Sequence, residues 1–190
     1  MHLYEYGQSK RGPAFRVPFD ALVATSCFPM LDRFLVEGAP ESPASEGSGD
    51  SGFFGHPDNR RYDLYIPAPV SVEREQSFLY HLSTRNFFAW MFGKPLVGTH
   101  LGGSIVGLLN SMNEFRSEGE DNVQSILEYL EGEVYADMRN SPDHALAILY
   151  FAEHFRFRDM WIDAFAHCCG MNDILITSIG FDVSSPFSDA

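Results

Sequence analysis

SPDHALAILYFAEHFRFRDMWIDAFAHCCG, residues 141–170, is the stretch that decides the fold. Ser141 is placed to cap a helix with its hydroxyl, and Pro142 then takes the first helical position, where a missing N–H costs nothing. Residues 145–155 are apolar on nearly every side, through Leu146, Ile148, Leu149, Tyr150, Phe151 and Ala152. A helix of that kind is expected to be buried all round. Arg156, Arg158 and Asp159 interrupt the run. Trp161, Ala164, Phe165 and Cys168 then recur at i, i+3, i+4 and i+7, and Gly170 is placed as a C-terminal stop. The stretch is predicted to be a helical hairpin that forms the inner pillar of a packed domain.

Around this hairpin the chain has 190 residues, enough for one domain with a core of its own. Its formal net charge of -13 argues against nucleic acid and anionic membrane as partners, and an acidic surface favours a basic one. Three cysteines, Cys27, Cys168 and Cys169, are an odd set with two adjacent, which is no disulfide framework. They point to a reducing, intracellular compartment, cytoplasm or nucleus. No apolar run reaches the ~18–20 residues of a membrane span. The opening MHLYEYGQSKRG lacks the apolar region of a signal peptide.

Upstream, residues 2–6 alternate weakly and residues 14–17 are short and extended, closed by Pro18. Together they read as an N-terminal hairpin. Residues 20–35 read as helix broken at Pro29. Residues 38–55, GAPESPASEGSGDSGFFG, hold too much Gly, Ser, Pro and acid to bury anything, so 38–60 is expected to be a disordered insertion. Tyr62, Leu64 and Ile66 alternate with Asp63 and Tyr65 as a third strand, stopped by Pro67 and Pro69. Ser71 is placed to cap a helix with Glu73 and Glu75 in its first turn and Phe78, Leu79 and Leu82 on its apolar face. Ser83 is placed to cap a second segment, with Arg85 and Asn86 serving its start. Leu101, Ile105, Leu108, Leu109, Met112 and Phe115 make a further helical stripe. Asp121 with Gln124 resembles a capping box ahead of Val123, Ile126, Leu127, Leu130 and Val134. Beyond Gly170, Ile174, Leu175, Ile176 and Ile179 suit a short strand or a docked tail, and residues 184–190 a frayed end.

This order of elements resembles the BTB/POZ fold. AFRVPFDALVATSCFPMLDRFL is similar to the stretch where a BTB domain's second strand leads into its first helices. DLYIPAPVSVEREQSFLYHLSTRNFFAWMFGKPLVG is similar to its third strand and the helix after it. HALAILYFAEHFRFRDMWIDAFAHCCGM resembles the helical hairpin near its end, with Leu149, Ala152, His154, Phe155, Asp159 and Met160 in the corresponding places. The likeness is closer still to a family of uncharacterised fungal proteins with a BTB-like domain, through the same segments and EDNVQSILEYLE. That family brings no assigned activity. Its members usually run on with further helices past the point matching Met171, so the resemblance implies a shortened member.

The expected fold is therefore α+β and mostly helical. It has a BTB/POZ-like core with a short N-terminal hairpin, a third strand and helical hairpins. Residues 1–37 supply the hairpin and a helix pair, 38–60 the insertion, 61–171 the rest of the domain and 172–190 a weakly structured tail. BTB-type dimers form through the first strand and first helix, so the resemblance implies Leu3, Tyr4, Phe19, Leu22 and Val23 as interface candidates. The run Phe87, Phe88, Trp90, Met91, Phe92 cannot face one way on a helix. It is either buried on two sides or marks a docking surface, with Phe88 and Phe92 as candidates.

Other constellations read as structure. His167, Cys168 and Cys169 diverge by about 100° each on a helix and cannot close on one ion. No CxxC or HxxxH spacing brings in Cys27, His144 or His154. Asp163 and His167, at i and i+4, make a surface pair. Gly93-Lys94 and Gly102-Gly103 lack the rest of a phosphate-binding loop and read as helix ends or tight turns. Lys10 and Arg11 read as a solvated loop. No Cys, His and Asp stand in a strand–turn–helix elbow. The function expected is protein–protein interaction, as adaptor or by self-association, with no enzyme activity, cofactor or metal. The alternatives are an enzyme with a Cys/His site near His167 and Cys168, lined by His154, and a marginally stable family fragment.

Overall fold

The computed structural model describes residues 1–7, 12–37 and 62–171. The expected insertion at 38–60, the loop at Lys10 and Arg11 and the tail at 172–190 lie outside the described residues. The fold is α+β and mostly helical. Its elements are α1 (Phe19–Ala24), α2 (Phe28–Phe34), β1 (Leu35–Glu37), β2 (Tyr62–Leu64), α3 (Arg74–Met91), α4 (Leu101–Phe115), α5 (Asn122–Gly132), α6 (Pro142–Phe155) and α7 (Arg158–Gly170). β1 and β2 pair antiparallel, Leu35 opposite Leu64 and Glu37 opposite Tyr62. Contacts group the chain into two units, residues 1–84 with 111–120 and residues 85–110 with 121–190; α3 and α4 each contribute to both.

In the first unit the expected N-terminal hairpin is reduced to one contact without strands: Ala14 N–H donates to the Met1 carbonyl at 2.8 Å and the Met1 amino group to the Phe15 carbonyl at 2.9 Å. His2 instead bridges Tyr65 in parallel: its N–H donates to the Leu64 carbonyl at 2.7 Å, and Ile66 N–H donates to its carbonyl at 2.9 Å. Residues 14–17 stay irregular between Pro13 and Pro18, two residues with no N–H for a ladder. The break between α1 and α2 falls at Thr25–Cys27, where Ser26 has a φ of 56°, and Pro29 sits in the first turn of α2, where it is tolerated. Residue 35, expected in helix, turns extended and opens β1. Leu22, Cys27, Met30, Leu64, Ile66, Met112 and Phe115 are buried. The buried Arg116 guanidinium holds the break, donating from Nε to the Thr25 carbonyl at 3.1 Å and pairing with Glu120 at 2.8 Å.

α3 corrects three expectations. Ser71 has a φ of 70° and lies ahead of the helix, so it cannot take the extended backbone of an N-cap. Ser83 starts nothing, because the helix runs unbroken for 18 residues. Thr84 instead returns its hydroxyl to the Tyr80 carbonyl at 2.9 Å, within the helix. The buried side chains of the helix, Thr84, Asn86, Phe87 and Phe88, all fall in its second half, so Phe78 and Leu79 in the first half are exposed and Leu82 is only half-buried. Arg85 and Asn86 lie mid-helix.

In the second unit, Asn86 is wholly buried and grips Val97 on both sides. Its Nδ2 donates to the Val97 carbonyl and its Oδ1 accepts from the Val97 N–H, both at 2.9 Å. Tyr129 OH donates to the Lys94 carbonyl at 2.6 Å, and Leu96 N–H donates to Tyr135 OH at 3.0 Å. Three side chains thus tie down residues 94–97. Gly102 and Gly103 lie at a helix end, as expected, in the first turn of α4. A Cβ on Gly102 would stand 3.1 Å from Tyr150 and 3.2 Å from the Ala147 backbone, so α4 and α6 meet closely there. Asp121 caps α5 through Gln124 N–H at 2.8 Å, but the Gln124 amide goes to Glu128 instead of closing the box. Ile126 and Leu130 are buried, whereas Val134 lies past the helix, exposed, with a φ of 65°.

The hairpin of α6 and α7 is present, and the two helices pack together. Ser141 occupies the N-cap without a side-chain hydrogen bond, and Pro142 fills the first turn. Arg156 makes the turn in the left-handed conformation, φ 60°. Gly170 is the last residue of α7 and is not a left-handed stop. α6 is not buried all round. Ala145, Ala147, Ile148, Phe151 and Ala152 are buried, Leu146 and Leu149 half-buried, and Tyr150, Glu153 and His154 exposed.

Candidate interaction surface

α1 is six residues long, and its i, i+4 geometry puts Phe19 and Val23 on one side while Leu22 turns into the core. The Tyr62 ring stacks on Phe19, with centroids 5.7 Å apart and planes at 28°. All three stay open to solvent, Phe19 at 39%, Val23 at 40% and Tyr62 at 46%. Asp20 lies in the first turn of α1 and Glu37 opposite Tyr62, so acid borders the apolar patch. The other face of β2 carries an aromatic cluster. The His2 ring lies flat on Tyr65 at 4.4 Å, with Nδ1 2.8 Å from Tyr4 OH and Nε2 3.3 Å from an Asp63 oxygen.

The expected candidates separate on these facts. Phe19 and Val23 lie on the patch. Leu3 and Tyr4 are half-buried, with Tyr4 engaged by His2. Leu22 and Phe88 are buried within the chain and offer no surface. Phe92 is exposed just past α3, in the other unit. Phe87 and Phe88 meet edge to face at 5.5 Å inside the core, the packing reading of the aromatic run. Tyr62 was missed because strand alternation grouped it with Leu64 and Ile66 on the inner face. The signal that it escapes is its place at the strand's end.

The thiols and histidines are spread through separate environments. Cys27 and Cys168 are buried and Cys169 exposed. Burial pushes the Cys168 thiol up, helped by Cys169, which is the reverse of nucleophile activation. Burial also raises Cys27, against a lowering hydrogen bond with Thr25. His167 Nε2 lies 3.9 Å from Asp163, the expected surface pair. His154 is exposed on α6, edge-on to Phe155 at 4.7 Å. Among the described residues no three His, Cys, Asp or Glu side chains could hold a metal ion, and no helix is long and apolar enough to cross a membrane. The Asp137 carboxyl is held down at about 2 by side-chain and backbone hydrogen bonds from Arg139.

Two phenols are raised well above their ordinary value of 10.0. Burial is the main cause for both, reinforced by the Glu114 charge at Tyr80 and by Tyr135 at Tyr129. A raised phenol stabilises the fold fully below about pH 10, the unfolded value, and that contribution is lost as pH rises through the folded value. Absorbance at 295 nm is therefore expected to show two phenols ionising only together with alkaline unfolding. Ionisation of every tyrosine before the helical signal falls would contradict this.

Comparison with protein-family models finds a match to "Domain of unknown function (DUF8004)" over residues 123–190. The similarity takes in α5, α6 and α7 and continues past them. Comparison with curated proteins and with solved structures returns no match.

Proposed function

We propose that the chain is a BTB/POZ-like interaction module, similar to the uncharacterised fungal proteins with such a domain, and that it pairs with a second copy through the α1/β2 surface inside the cell. The observation that carries this reading is the exposed Phe19–Tyr62 stack with Val23 one turn along α1. Three large apolar side chains held open on one surface leave area that a partner would remove from water. The resemblance to BTB domains, whose dimers use the first helix, favours a second copy as that partner. Charge opposes pairing, because each copy carries a net -13. Added salt is therefore expected to tighten the dimer, since screening relieves repulsion and leaves apolar burial intact.

The test is the double substitution Phe19→Asp, Val23→Asp, followed by light scattering over a concentration series. Two carboxylates on each side of the patch are expected to weaken association at least ~100-fold with the helical signal unchanged. Association equal to that of the unsubstituted chain would reject this surface.

A further inference from the structure

The two ring nitrogens of His2 meet different side chains. Nε2 lies 3.3 Å from an Asp63 carboxylate oxygen, and Nδ1 lies 2.8 Å from the Tyr4 hydroxyl. His2 is buried, and its ring is held flat against Tyr65, with centroids 4.4 Å apart and planes at 8°. Its backbone is fixed as well, through the hydrogen bonds with Leu64 and Ile66. A carboxylate only accepts hydrogen bonds, so in the neutral ring Nε2 carries the proton and Nδ1 keeps a lone pair. The Tyr4 hydroxyl is then the donor to Nδ1. Asp63, His2 and Tyr4 thus form a carboxylate–imidazole–hydroxyl chain, the arrangement in which a base activates an oxygen nucleophile and a third group orients the base. Tyr4 is half-buried, so part of it stays open to solvent.

We propose that Tyr4 is a nucleophilic phenol, an acceptor site for the acyl group of an uncharged activated ester, with His2 as its base and Asp63 as the positioning residue. The Tyr4 oxygen attacks the ester carbonyl carbon while its proton passes to His2 Nδ1. The adduct then collapses: the bond from carbon to the departing oxygen breaks, and that oxygen takes the proton back from Nδ1. An acyl-tyrosine and a free alcohol or phenol result, with His2 neutral again and Asp63 unchanged. Charge selects the donor class. An anionic donor would approach against the Asp63 carboxylate and a net charge of -13. The neighbouring rings suit an apolar donor, since Tyr65 lies 6.0 Å from Tyr4 and 5.1 Å from Tyr6, both edge to face. Side chains alternate along a strand, so Asp63 and Tyr65 lie on the opposite face of β2 from Tyr62, and the site is independent of the pairing proposed for α1 and β2.

The test is acetylation of the full chain by p-nitrophenyl acetate at about pH 8, where imidazole is ordinarily neutral. Peptide mass spectrometry follows each tyrosine separately. Tyr6, 69% exposed and two residues on, is the internal reference. Tyr4 is expected to acetylate at least ~10-fold faster than Tyr6 although it is the less exposed of the two. Asp63→Asn supplies an amide that can donate to Nε2, which moves the ring proton to Nδ1 and leaves Tyr4 without a base. Labelling of Tyr4 is then expected to fall at least ~10-fold, with the helical signal unchanged. Asp63→Glu keeps an accepting carboxylate and is expected to label Tyr4 faster than Asp63→Asn. Tyr4 no faster than Tyr6 in the unsubstituted chain would overturn the proposal without recourse to any variant. So would equal Tyr4 rates in the unsubstituted chain and Asp63→Asn, or in Asp63→Glu and Asp63→Asn.

Discussion

Phe151→Ala is expected to destabilise the protein by about 3–5 kcal/mol, the cost of emptying a fully buried phenylalanine site. Phe151 has no solvent exposure, and its ring meets Phe155 at 5.3 Å and Phe157 at 5.5 Å. Those neighbours belong to the end of α6 and to the N-cap of α7, so the cavity would open at the joint of the hairpin. A chain of this length loses about 2–4 °C of melting temperature per kcal/mol, so a drop near or above ~10 °C should follow in thermal unfolding. A loss below ~1 kcal/mol in urea titration would show that the joint is not a principal part of the core.

The second large effect is Gly102→Val. A Cβ there would lie 3.1 Å from Tyr150 side-chain carbons and 3.2 Å from the Ala147 Cα. The Tyr150 ring is exposed and can swing aside, but the Ala147 Cα is backbone, so α4 and α6 would have to separate. Overpacking of this kind costs about 1–3 kcal/mol, and valine's added methyls put it at the upper end. Gly103, the next residue, has nothing within 4 Å of its Cβ position, and Gly103→Ala should gain about 1 kcal/mol from helix propensity alone. Adjacent substitutions of opposite sign, read by denaturant titration, separate a close helix crossing from a general intolerance of α4.

The helices rich in apolar residues were legible because their periodicity records burial directly. Every member of the α4 stripe from Ile105 to Phe115 named above is buried, and the α6–α7 joint falls at the polar cluster that marked it. Side-chain caps were less legible. Ser71 and Ser83 have the right type in the right local context, but a cap depends on backbone angles: Ser71 has a positive φ, and Ser83 lies inside the unbroken α3. The N-terminal hairpin fell short for a related reason. Short alternating segments do not name their partner: Met1 meets Ala14 and Phe15, while His2 bridges Tyr65, about sixty residues away in sequence.

The apolar patch was half legible. Phe19 and Val23 came from the resemblance to BTB domains, which also named Leu22, a residue that α1 turns inward. Tyr62 completes the patch because its ring stacks on Phe19, a tertiary contact that no local pattern carries. Asn86 illustrates the same limit in the core. Its amide satisfies both backbone groups of Val97, eleven residues on, and mid-helix asparagine by itself suggests nothing of the kind.

Sedimentation equilibrium of the full chain, at low and at high salt, tests the pairing most directly. The account expects a mass approaching twice 21.4 kDa as concentration rises, reached sooner in high salt. A mass of 21.4 kDa at every concentration and both salt levels would contradict it.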